Sequence, residues 1–428
     1  MSMLVYLPTL LSSIFRLSIY IFLRVIPTSL AKFILPVLYS THILSSILFI
    51  PQALDIAQSD KIKHVKPAPG PRHNAFQTLV LSLPTTSRRL RFSNILLNTL
   101  LLAAAADYVV TPYLDSATDV VFTRVGAVYP DSVKIVVRYP LANITSQPPL
   151  LLYREITCTP TPWKNGPLLT LLSDQDWVDT VKVEGLWPNT SYESTRFKFV
   201  VSSCATPNFP YRGPWYRRSI KGFDLLADYL YPPAVQSIDS SDAIPPSQAD
   251  FMLFLGDFIY ADMPIYIGDD KEAYRRLYRR NYNSDSFRKI YERLRKFINN
   301  FGASGIDSTP PYLNASGAFR LYNSNANFDP ASPGEYYYEF RYGDAAFFVM
   351  DTRRYRTKAG TSKRTMLGDV QLAALHNWLS RVNATSIFKF VITSVPFTSL
   401  WGHDAQTDSW AGFPEEKKEL LKISLLSE

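Results

Sequence analysis

Three long apolar stretches occupy the first 113 residues. Residues 4–23 are apolar except around Arg16, residues 33–50 form an uncharged run, and residues 92–110 contain two asparagines and one aspartate. A membrane-spanning helix needs about 20 mainly apolar residues, so the second stretch fits best and the other two are borderline. The sequence therefore predicts a membrane region over 1–113 with two or three transmembrane helices. For the first stretch, an amphipathic helix lying in the membrane interface is the alternative.

From residue 119 onward, short segments alternate apolar and polar residues, as the strands of a half-buried sheet do. The segments are 120–125, 132–138, 150–156 and 177–183. Residues 186–192 read Leu-Trp-Pro-Asn-Thr-Ser-Tyr. This matches the tyrosine corner of fibronectin-type sandwiches, in which the Tyr hydroxyl bonds back to the preceding turn. We therefore expect a small all-β, fibronectin-like sandwich over 117–196.

Helical and strand patterns are mixed over residues 197–428, which predicts an α/β domain. Two runs of β-favouring residues, 197–204 and 250–260, stay apolar until they end, as buried parallel strands do. The other predicted elements are a helix over 271–296, a hairpin of 335–342 with 345–350, a helix over 367–382, a buried strand over 388–395 and a last helix that begins at Pro414.

The composition is that of an ordered protein, since 46% of the 428 residues are hydrophobic and 19% are charged. The net charge of +8 arises almost entirely in residues 1–113, which hold ten Lys/Arg and three Asp/Glu. The rest of the chain is nearly neutral, so we expect no nucleic-acid partner. The two cysteines, Cys158 and Cys204, are too few for a disulfide scaffold. Outside the cytoplasm they can pair with each other.

The position of the positive charge predicts the orientation in the membrane. Seven Lys/Arg lie within residues 61–91, between the second and third apolar stretches. By the positive-inside rule this loop is cytoplasmic, so a spanning third stretch places everything after Tyr113 on the lumenal or extracellular side. Four Asn-X-Ser/Thr sequons there predict a glycoprotein: Asn143, Asn189, Asn314 and Asn383. We expect an integral membrane protein.

Reactive side chains stand at the ends of the two predicted parallel strands. The first strand ends on Cys204, and the second contains Asp257 and ends on Tyr260. The carboxyl ends of parallel strands meet at one sheet edge, where ligands bind. A thiolate, a carboxylate and a phenolate together suit ferric iron better than zinc. The pattern favours a metal-dependent hydrolase, although Cys204 and Tyr260 are also residue types that pack in a core.

A cluster of arginines, within Asp-Thr-Arg-Arg-Tyr-Arg at 351–356, follows the second strand of the predicted hairpin. Guanidinium groups bind phosphate oxygens bidentately, which makes Arg353 a candidate for binding a substrate phosphate. Surface ion pairs are the equally weighted alternative. The two histidines after Cys204, His376 and His403, are expected to be structural.

Together and in this order, these motifs resemble the PhoD-like (alkaline phosphatase D) metallophosphatases in their membrane-anchored fungal form. The motifs that carry the resemblance are Ser-Ser-Cys at 202–204, Gly-Asp-Phe-Ile-Tyr at 256–260, residues 351–356, Leu367-Gly368 with Gln371 and Trp378-Leu379, and Asp408-Ser409-Trp410. The resemblance covers about 119–428. It implies hydrolysis of phosphomonoesters or phosphodiesters on a four-layer α/β/β/α core, with iron and calcium as the metals.

The resemblance also implies individual roles. Cys204, Asp257 and Tyr260 would be iron ligands, with Asp257 as a possible bridge to calcium. Asn300 and Arg353 would be catalytic residues.

Two parts of the family pattern are absent from the sequence. The family has Asp-Asp-His-Glu just before an Asn-Asn pair, but Arg-Leu-Arg-Lys at 293–296 precedes Asn299-Asn300 here. The family's final strand, with its Gly-Asp-X-His turn, does not follow the Pro414 helix. The resemblance thus implies a PhoD-like domain over 197–428 that lacks an internal segment and its C-terminal end, with weak or no hydrolysis. The alternative is a non-catalytic, membrane-anchored remnant or interaction protein.

Overall fold

The computed structural model describes residues 6–62, 74–83, 85, 87–140, 149–154, 162–186, 197–232, 249–266, 268–293, 297–299, 311–357, 364–398 and 405–426; within these, the side chains of 49–62, 297–299, 405, 407 and 423–426 are not described. The chain divides into two compact units. The first unit comprises Met1–Asp115, Asn208–Arg217 and Ala261–Ile267. The second comprises Ser116–Pro207, Arg218–Tyr260 and Gly268–Glu428.

Long helices make up most of the first unit. In its described part they are α1 (Leu7–Arg24), α2 (Ala31–Ile62), α3 (Ala75–Val80) and α4 (Arg88–Leu114). The apolar segments Leu7–Arg24, Ala31–Leu48 and Arg88–Leu114 are long and apolar enough to cross a membrane. The three stretches predicted from their apolar residues are therefore helical, as expected.

The polar residues within the apolar stretches meet inside this unit. Arg16 of α1 donates to Asn98 Oδ1 at 2.7 Å and to Asn94 Oδ1 at 3.0 Å, both on α4, and to the carbonyl of Val80 at 2.9 Å. Asn98 in turn donates to Ser12 Oγ at 2.8 Å. A buried charge is costly unless it is hydrogen-bonded, and these bonds explain how an arginine is accommodated among apolar helices.

The second unit begins with antiparallel pairs. Its first strands are β1 (Phe122–Val128), β2 (Val133–Arg138), β3 (Leu152–Tyr153), β4 (Lys164–Asn165) and β5 (Val178–Val183). They form a three-stranded sheet in the order β1-β2-β5 and a separate pair, β3-β4. The tyrosine corner lies almost wholly outside the described residues, so the fibronectin-like sandwich remains a prediction.

Two further sheets carry the candidate site. Strands β6 (Phe199–Ser202), β7 (Phe251–Phe254) and β8 (Phe297–Asn299) are parallel, in that order. In the other sheet, β10 (Ala345–Val349) pairs antiparallel with β9 (Tyr338–Tyr342) and parallel with β11 (Phe388–Ile392). The predicted hairpin of β9 and β10 is confirmed.

Helices surround these sheets. They are α5 (Lys221–Leu230), α6 (Lys271–Tyr282), α7 (Asp285–Tyr291), α8 (Tyr312–Tyr322), α9 (Gly368–Val382), α10 (Ala405–Asp408) and α11 (Pro414–Leu426). The predicted helices at 367–382 and from Pro414 correspond to α9 and α11.

Alternating side chains on β7 and β10 form two distinct buried faces on each strand. The rings of Phe251 on β7 and Phe347 on β10 are 5.7 Å apart, within one cluster shared by the two sheets. On the other face of β7, Phe254 lies 6.4 Å from Phe223 of α5, whose ring stacks on Phe287 of α7 at 5.0 Å. On the other face of β10, Phe348 lies 5.5 Å from Trp378 of α9. The two sheets therefore pack against each other through phenylalanine rings, and each bears helices on its outer face.

Two predicted elements were wrong in detail. The single helix over 271–296 is broken into α6 and α7, because the side chain of Ser284 accepts the Phe287 N–H at 3.4 Å and begins a new helix. The strand predicted as buried over 388–395 ends at Ile392 and leaves Phe388 55% exposed. This strand, β11, lies at the edge of its sheet, where one side is uncovered.

Candidate functional site

The chain turns sharply where β6 and β7 end. Cys204 has φ +61°, Gly256 has φ +132° and Asp257 has φ +54°. The Ala205 N–H donates to the Asp257 carbonyl at 3.1 Å, which ties the two turns together beyond the strand ends. A left-handed conformation in a residue with a side chain costs about 1–3 kcal/mol, and such strain is concentrated at functional sites.

The two turns bring together the three predicted metal ligands. The Cys204 thiol donates to Asp257 Oδ2 at 3.5 Å, and the Tyr260 hydroxyl donates to the same oxygen at 3.0 Å. Ser203 Oγ donates to Cys204 Sγ at 3.3 Å. A thiol, a carboxylate and a phenol therefore converge on one point at the carboxyl ends of two parallel strands. Their role as ligands remains a prediction.

The environment of Tyr260 keeps its hydroxyl protonated. Burial raises the pKa of this phenol far above its ordinary value, and the hydrogen bond with Cys204 and the charge of Asp257 raise it further. A nearby cation acts in the opposite direction, because it favours the ionised form of each group in the trio. Ionisation of the Tyr260 hydroxyl therefore depends on such a cation.

The second sheet contributes two hydroxyl groups that the sequence analysis missed. Thr352 follows β10 and Ser394 follows β11, and their Oγ1 and Oγ atoms are 2.6 Å apart. A Cβ atom at Gly256 would lie 3.4 Å from Ser394 Cβ, so Ser394 adjoins the turn that holds Asp257. Both hydroxyls stand just past the carboxyl end of a strand, the same signal that identified Cys204.

Arg353 is bound to an acidic residue. Arg353 and Arg356 both donate to Asp408 Oδ1, the latter at 2.6 Å. Burial works against ionisation of this carboxyl group, yet Arg356 and Arg353 lower the pKa of Asp408. Among the contacts of the described residues, Arg353 has none with Cys204, Asp257 or Tyr260. Its ion pair with Asp408 corresponds to the alternative to phosphate binding that the sequence left open.

Helix α9 fixes the turn that carries Arg353. The Gln371 side chain accepts the Asp351 N–H at 2.8 Å and donates to the Asp351 carbonyl at 2.8 Å. Asp351 Oδ1 accepts the N–H groups of Arg353 and Arg354 at 3.0 Å each. Burial raises the pKa of Asp351, although these donors oppose it. Gln371 therefore positions the turn and has no visible part in chemistry.

Three further residues named from the sequence are Asn300, His403 and His376. Asn300 and His403 lie outside the described residues, and Asn299 is the last residue of β8. His376 Nε2 is 3.9 Å from Glu419 Oε1, which agrees with a structural role. Among the described residues, no three His, Cys, Asp or Glu side chains are grouped as a metal site. The predicted trio has two such side chains and one tyrosine.

Residues 299–426 match the family described as PhoD-like phosphatase. Over these residues the chain is similar to the PhoD-like phosphatases. The solved structure of PhoD superimposes with a TM-score of 0.50 at 15% sequence identity, over 73% of this chain and 70% of that one. At this identity the superposition concerns the fold alone. A comparison with curated proteins gives no match.

The family match covers the C-terminal part of the chain. The family match includes the turn at 351–356, Gln371, Asp408 and helix α11. It does not reach Cys204, Asp257 or Tyr260, which lie upstream. The resemblance proposed from sequence is confirmed, and by family it favours a hydrolase of the phosphatase type. The fungal, membrane-anchored form and the two missing parts remain predictions.

Proposed function

We propose that this PhoD-like protein is a metal-dependent phosphoric-ester hydrolase, acting on phosphomonoesters or phosphodiesters, and that α1, α2 and α4 tether it to a membrane. The observation that carries the proposal is the convergence of Cys204 Sγ, Asp257 Oδ2 and Tyr260 Oη at the ends of β6 and β7. Neighbouring carboxyl ends of parallel strands are where α/β proteins bind their ligands.

The donor set fits the metal that the resemblance implies. Asp257 Oδ2 already accepts hydrogens from a thiol and a phenol, and a cation in place of those hydrogens would have three anionic ligands. Ferric iron held by Cys204, Asp257 and Tyr260 would supply Lewis-acid polarisation of the phosphoryl group. Calcium would be the second metal on the resemblance, and Asp257 would help to hold it.

The chain's own residues then define how a phosphate ester would be held. Gly256 has no side chain to fill the space beside Ser394, which keeps the turn accessible. A guanidinium has five N–H donors, so Arg353 can bind a substrate oxygen while one of its nitrogens donates to Asp408. Asn300 is proposed as the second catalytic residue, on the resemblance.

The proposed architecture is a four-layer core. Its support is the packing of β7 against β10 through Phe251 and Phe347, with α5 and α7 outside one sheet and α9 outside the other. We also propose that residues beyond Tyr113 lie on the lumenal or extracellular side, on the support of the basic residues within 61–91.

The test is hydrolysis of a chromogenic phosphodiester by the full chain in detergent, with iron and calcium supplied. Because two parts of the family pattern are absent, we expect weak turnover, which chelation removes and Asp257→Ala abolishes, since Asp257 contacts both other ligands. Asp269→Asn is the matched control, since Asp269 is an exposed carboxylate twelve residues downstream. Turnover that survives both chelation and Asp257→Ala would show that the trio is not the active site.

A non-catalytic protein is the second candidate. It is favoured by the sequence at 293–300, where the family's Asp-Asp-His-Glu motif does not occur. Iron content separates the two candidates. Iron that is bound by the wild type, lost in Asp257→Ala and not accompanied by hydrolysis would establish a metal-binding protein without phosphatase activity.

A further inference from the structure

The segment Asn208–Arg217, which we call the collar segment, packs with the membrane helices in the first unit. The Tyr211 N–H donates to the Leu23 carbonyl at 2.9 Å, and Arg24 donates to the Tyr211 carbonyl at 3.2 Å. The Tyr211 ring lies 6.1 Å from that of Tyr108 on α4. The collar segment is therefore fixed at the C-terminal end of α1 and beside α4.

The collar segment also supplies the counter-charge for an acid in an apolar helix. Asp107 lies in α4, seven residues before its end. Arg217 donates to Asp107 Oδ1 at 2.7 Å, and the Tyr211 hydroxyl donates to Asp107 Oδ2 at 2.9 Å. Burial, with the adjacent carboxylate, raises the pKa of Tyr211 to about 12, so this hydroxyl remains a donor. An ionised carboxylate in or near the hydrocarbon layer is costly unless paired.

The rest of the collar segment displays aromatic rings. Trp215 is 89% exposed and Tyr216 is 43% exposed. The guanidinium of Arg212 lies over the Tyr216 ring at 4.2 Å from its centroid. Tryptophan and tyrosine are enriched where the hydrocarbon layer meets water, because one part of each ring system is apolar and the other is polar.

Helices α1 and α4 end at the same side of the first unit, which is the side where the collar segment lies. Arg16 bonds to Asn98 and Phe22 packs on Tyr108, so α1 and α4 run parallel and end at the same side. At that side the Tyr113 hydroxyl, near the end of α4, donates to the Tyr266 carbonyl at 3.0 Å.

We propose that the collar segment is a membrane-binding surface in its own right, with Trp215 and Tyr216 inserted among the phospholipid headgroups at the C-terminal end of α1 and α4. Arg212 is placed to bind lipid phosphate oxygens beside Tyr216. The partner is the headgroup layer of the bilayer that holds the helices. The inference rests on the proposed membrane tethering and extends it to a segment that lies far along the sequence.

The test uses Trp fluorescence of the full chain reconstituted in vesicles that contain lipids brominated near the headgroups. Bromine quenches only nearby indoles. We expect the emission that the bromines quench to fall in Trp215→Phe, because this variant removes the one of the seven indoles that is placed among the headgroups. The matched control is Trp163→Phe, which removes an indole that is 58% exposed in the second unit. The quenched emission should stay unchanged in this control.

The outcomes separate this inference from the tethering on which it rests. Extraction of the chain from the vesicles by alkaline carbonate would overturn the tethering itself. If the chain resists extraction but Trp215→Phe leaves the quenched emission unchanged, or lowers it no more than Trp163→Phe, the tethering stands and the collar inference is wrong. A loss specific to Trp215→Phe supports both.

Discussion

Tyr260 is the residue that would report the identity of the metal most directly. Its hydroxyl shares Asp257 Oδ2 with the Cys204 thiol, and burial keeps it protonated in the absence of a cation. A phenolate bound to ferric iron gives a visible charge-transfer colour, whereas zinc or calcium, which have no accessible redox state, gives none. Colour is therefore a more specific readout at this residue than activity.

We predict that the full chain loaded with ferric iron is coloured and that Tyr260→Phe removes the colour while the fold is retained. The ring still packs in the variant, so circular dichroism and the thermal unfolding midpoint should change little. The absorption spectrum before and after the substitution is the measurement.

Tyr229→Phe is the control, because Tyr229 is 70% exposed on α5. It should keep the colour. Colour that persists in Tyr260→Phe would exclude Tyr260 as a ligand, even if Cys204 and Asp257 bind iron.

The site shows what residue patterns reveal and what they miss. Cys204, Asp257 and Tyr260 were predictable because each follows an apolar run that ends abruptly. Thr352 and Ser394 share that position, but single hydroxyl residues are too common for the pattern to select them. The ion pair of Arg353 with Asp408 joins residues 55 positions apart, and one sequence alone does not reveal such a contact.

Asp176 joins three secondary-structure elements of the second unit. It accepts hydrogen bonds from Arg138 of β2 at 3.1 Å, from Arg279 of α6 at 2.7 Å and from the Tyr322 hydroxyl of α8. Both arginine side chains are 1% exposed. Burial opposes ionisation of Asp176, but Arg279, Tyr322 and Arg138 outweigh it and lower the pKa of this carboxyl group.

We predict that Asp176→Asn destabilises the protein by about 3–5 kcal/mol, because it removes the carboxylate that the buried guanidinium groups of Arg138 and Arg279 share, although Arg279 keeps its ion pair with Glu272. The lowered pKa sets the pH dependence. The stabilisation is complete above the unfolded-state pKa of about 3.9 and is lost as the pH falls through the lower folded-state value. The difference in unfolding midpoint between wild type and variant, measured from pH 7 to pH 3, should shrink below about pH 4.

The exposed carboxylate of Asp228 on α5 supplies the comparison. Asp228→Asn should change stability by less than about 0.5 kcal/mol at either pH. An Asp176→Asn variant as stable as this control would mean that the buried network contributes nothing to folding.

Some elements were predictable from the local sequence, whereas others depend on how the strands are arranged in the sheets. Gly343-Asp344 joins two apolar runs, which was enough to predict the hairpin of β9 and β10. Over 271–296 the apolar periodicity passes through Asn283 without interruption, so the break depends on how Ser284 caps the next helix. Strands β6 and β11 are partly exposed because each lies at an edge of its sheet. The order of the strands cannot be read from any single run of apolar residues.

The whole molecule combines a helical unit with an α/β unit, and its topology follows from charge and helix direction. Phe15 packs on Tyr39 and His42 bonds to the Pro8 carbonyl, so α2 runs antiparallel to α1, whereas α4 runs parallel to it. Three spans would place the basic start of α4 and the residues after Tyr113 on opposite faces of the membrane. The apolar stretches predicted these helices, but their mutual packing needed the structure.

Glycosylation tests this orientation, and the structure ranks the two described sequons. Asn383 is exposed where α9 ends, whereas Asn314 lies within α8, half-buried, and donates its amide to the Asp269 carbonyl at 2.7 Å. A glycosylating enzyme needs an accessible amide on the lumenal side. We predict that the chain expressed in a eukaryotic cell carries a glycan at Asn383. Asn383→Gln should then reduce the mass lost on endoglycosidase treatment by one glycan, whereas Asn314→Gln should not.

Two results together would show that the orientation is the reverse of the one proposed. They are a wild-type mass that endoglycosidase does not change and cleavage of residues after Tyr113 by a cytosolic protease. The same protease result would also move the collar segment to the cytoplasmic leaflet, since it lies at the end of α1 that is opposite the basic start of α4.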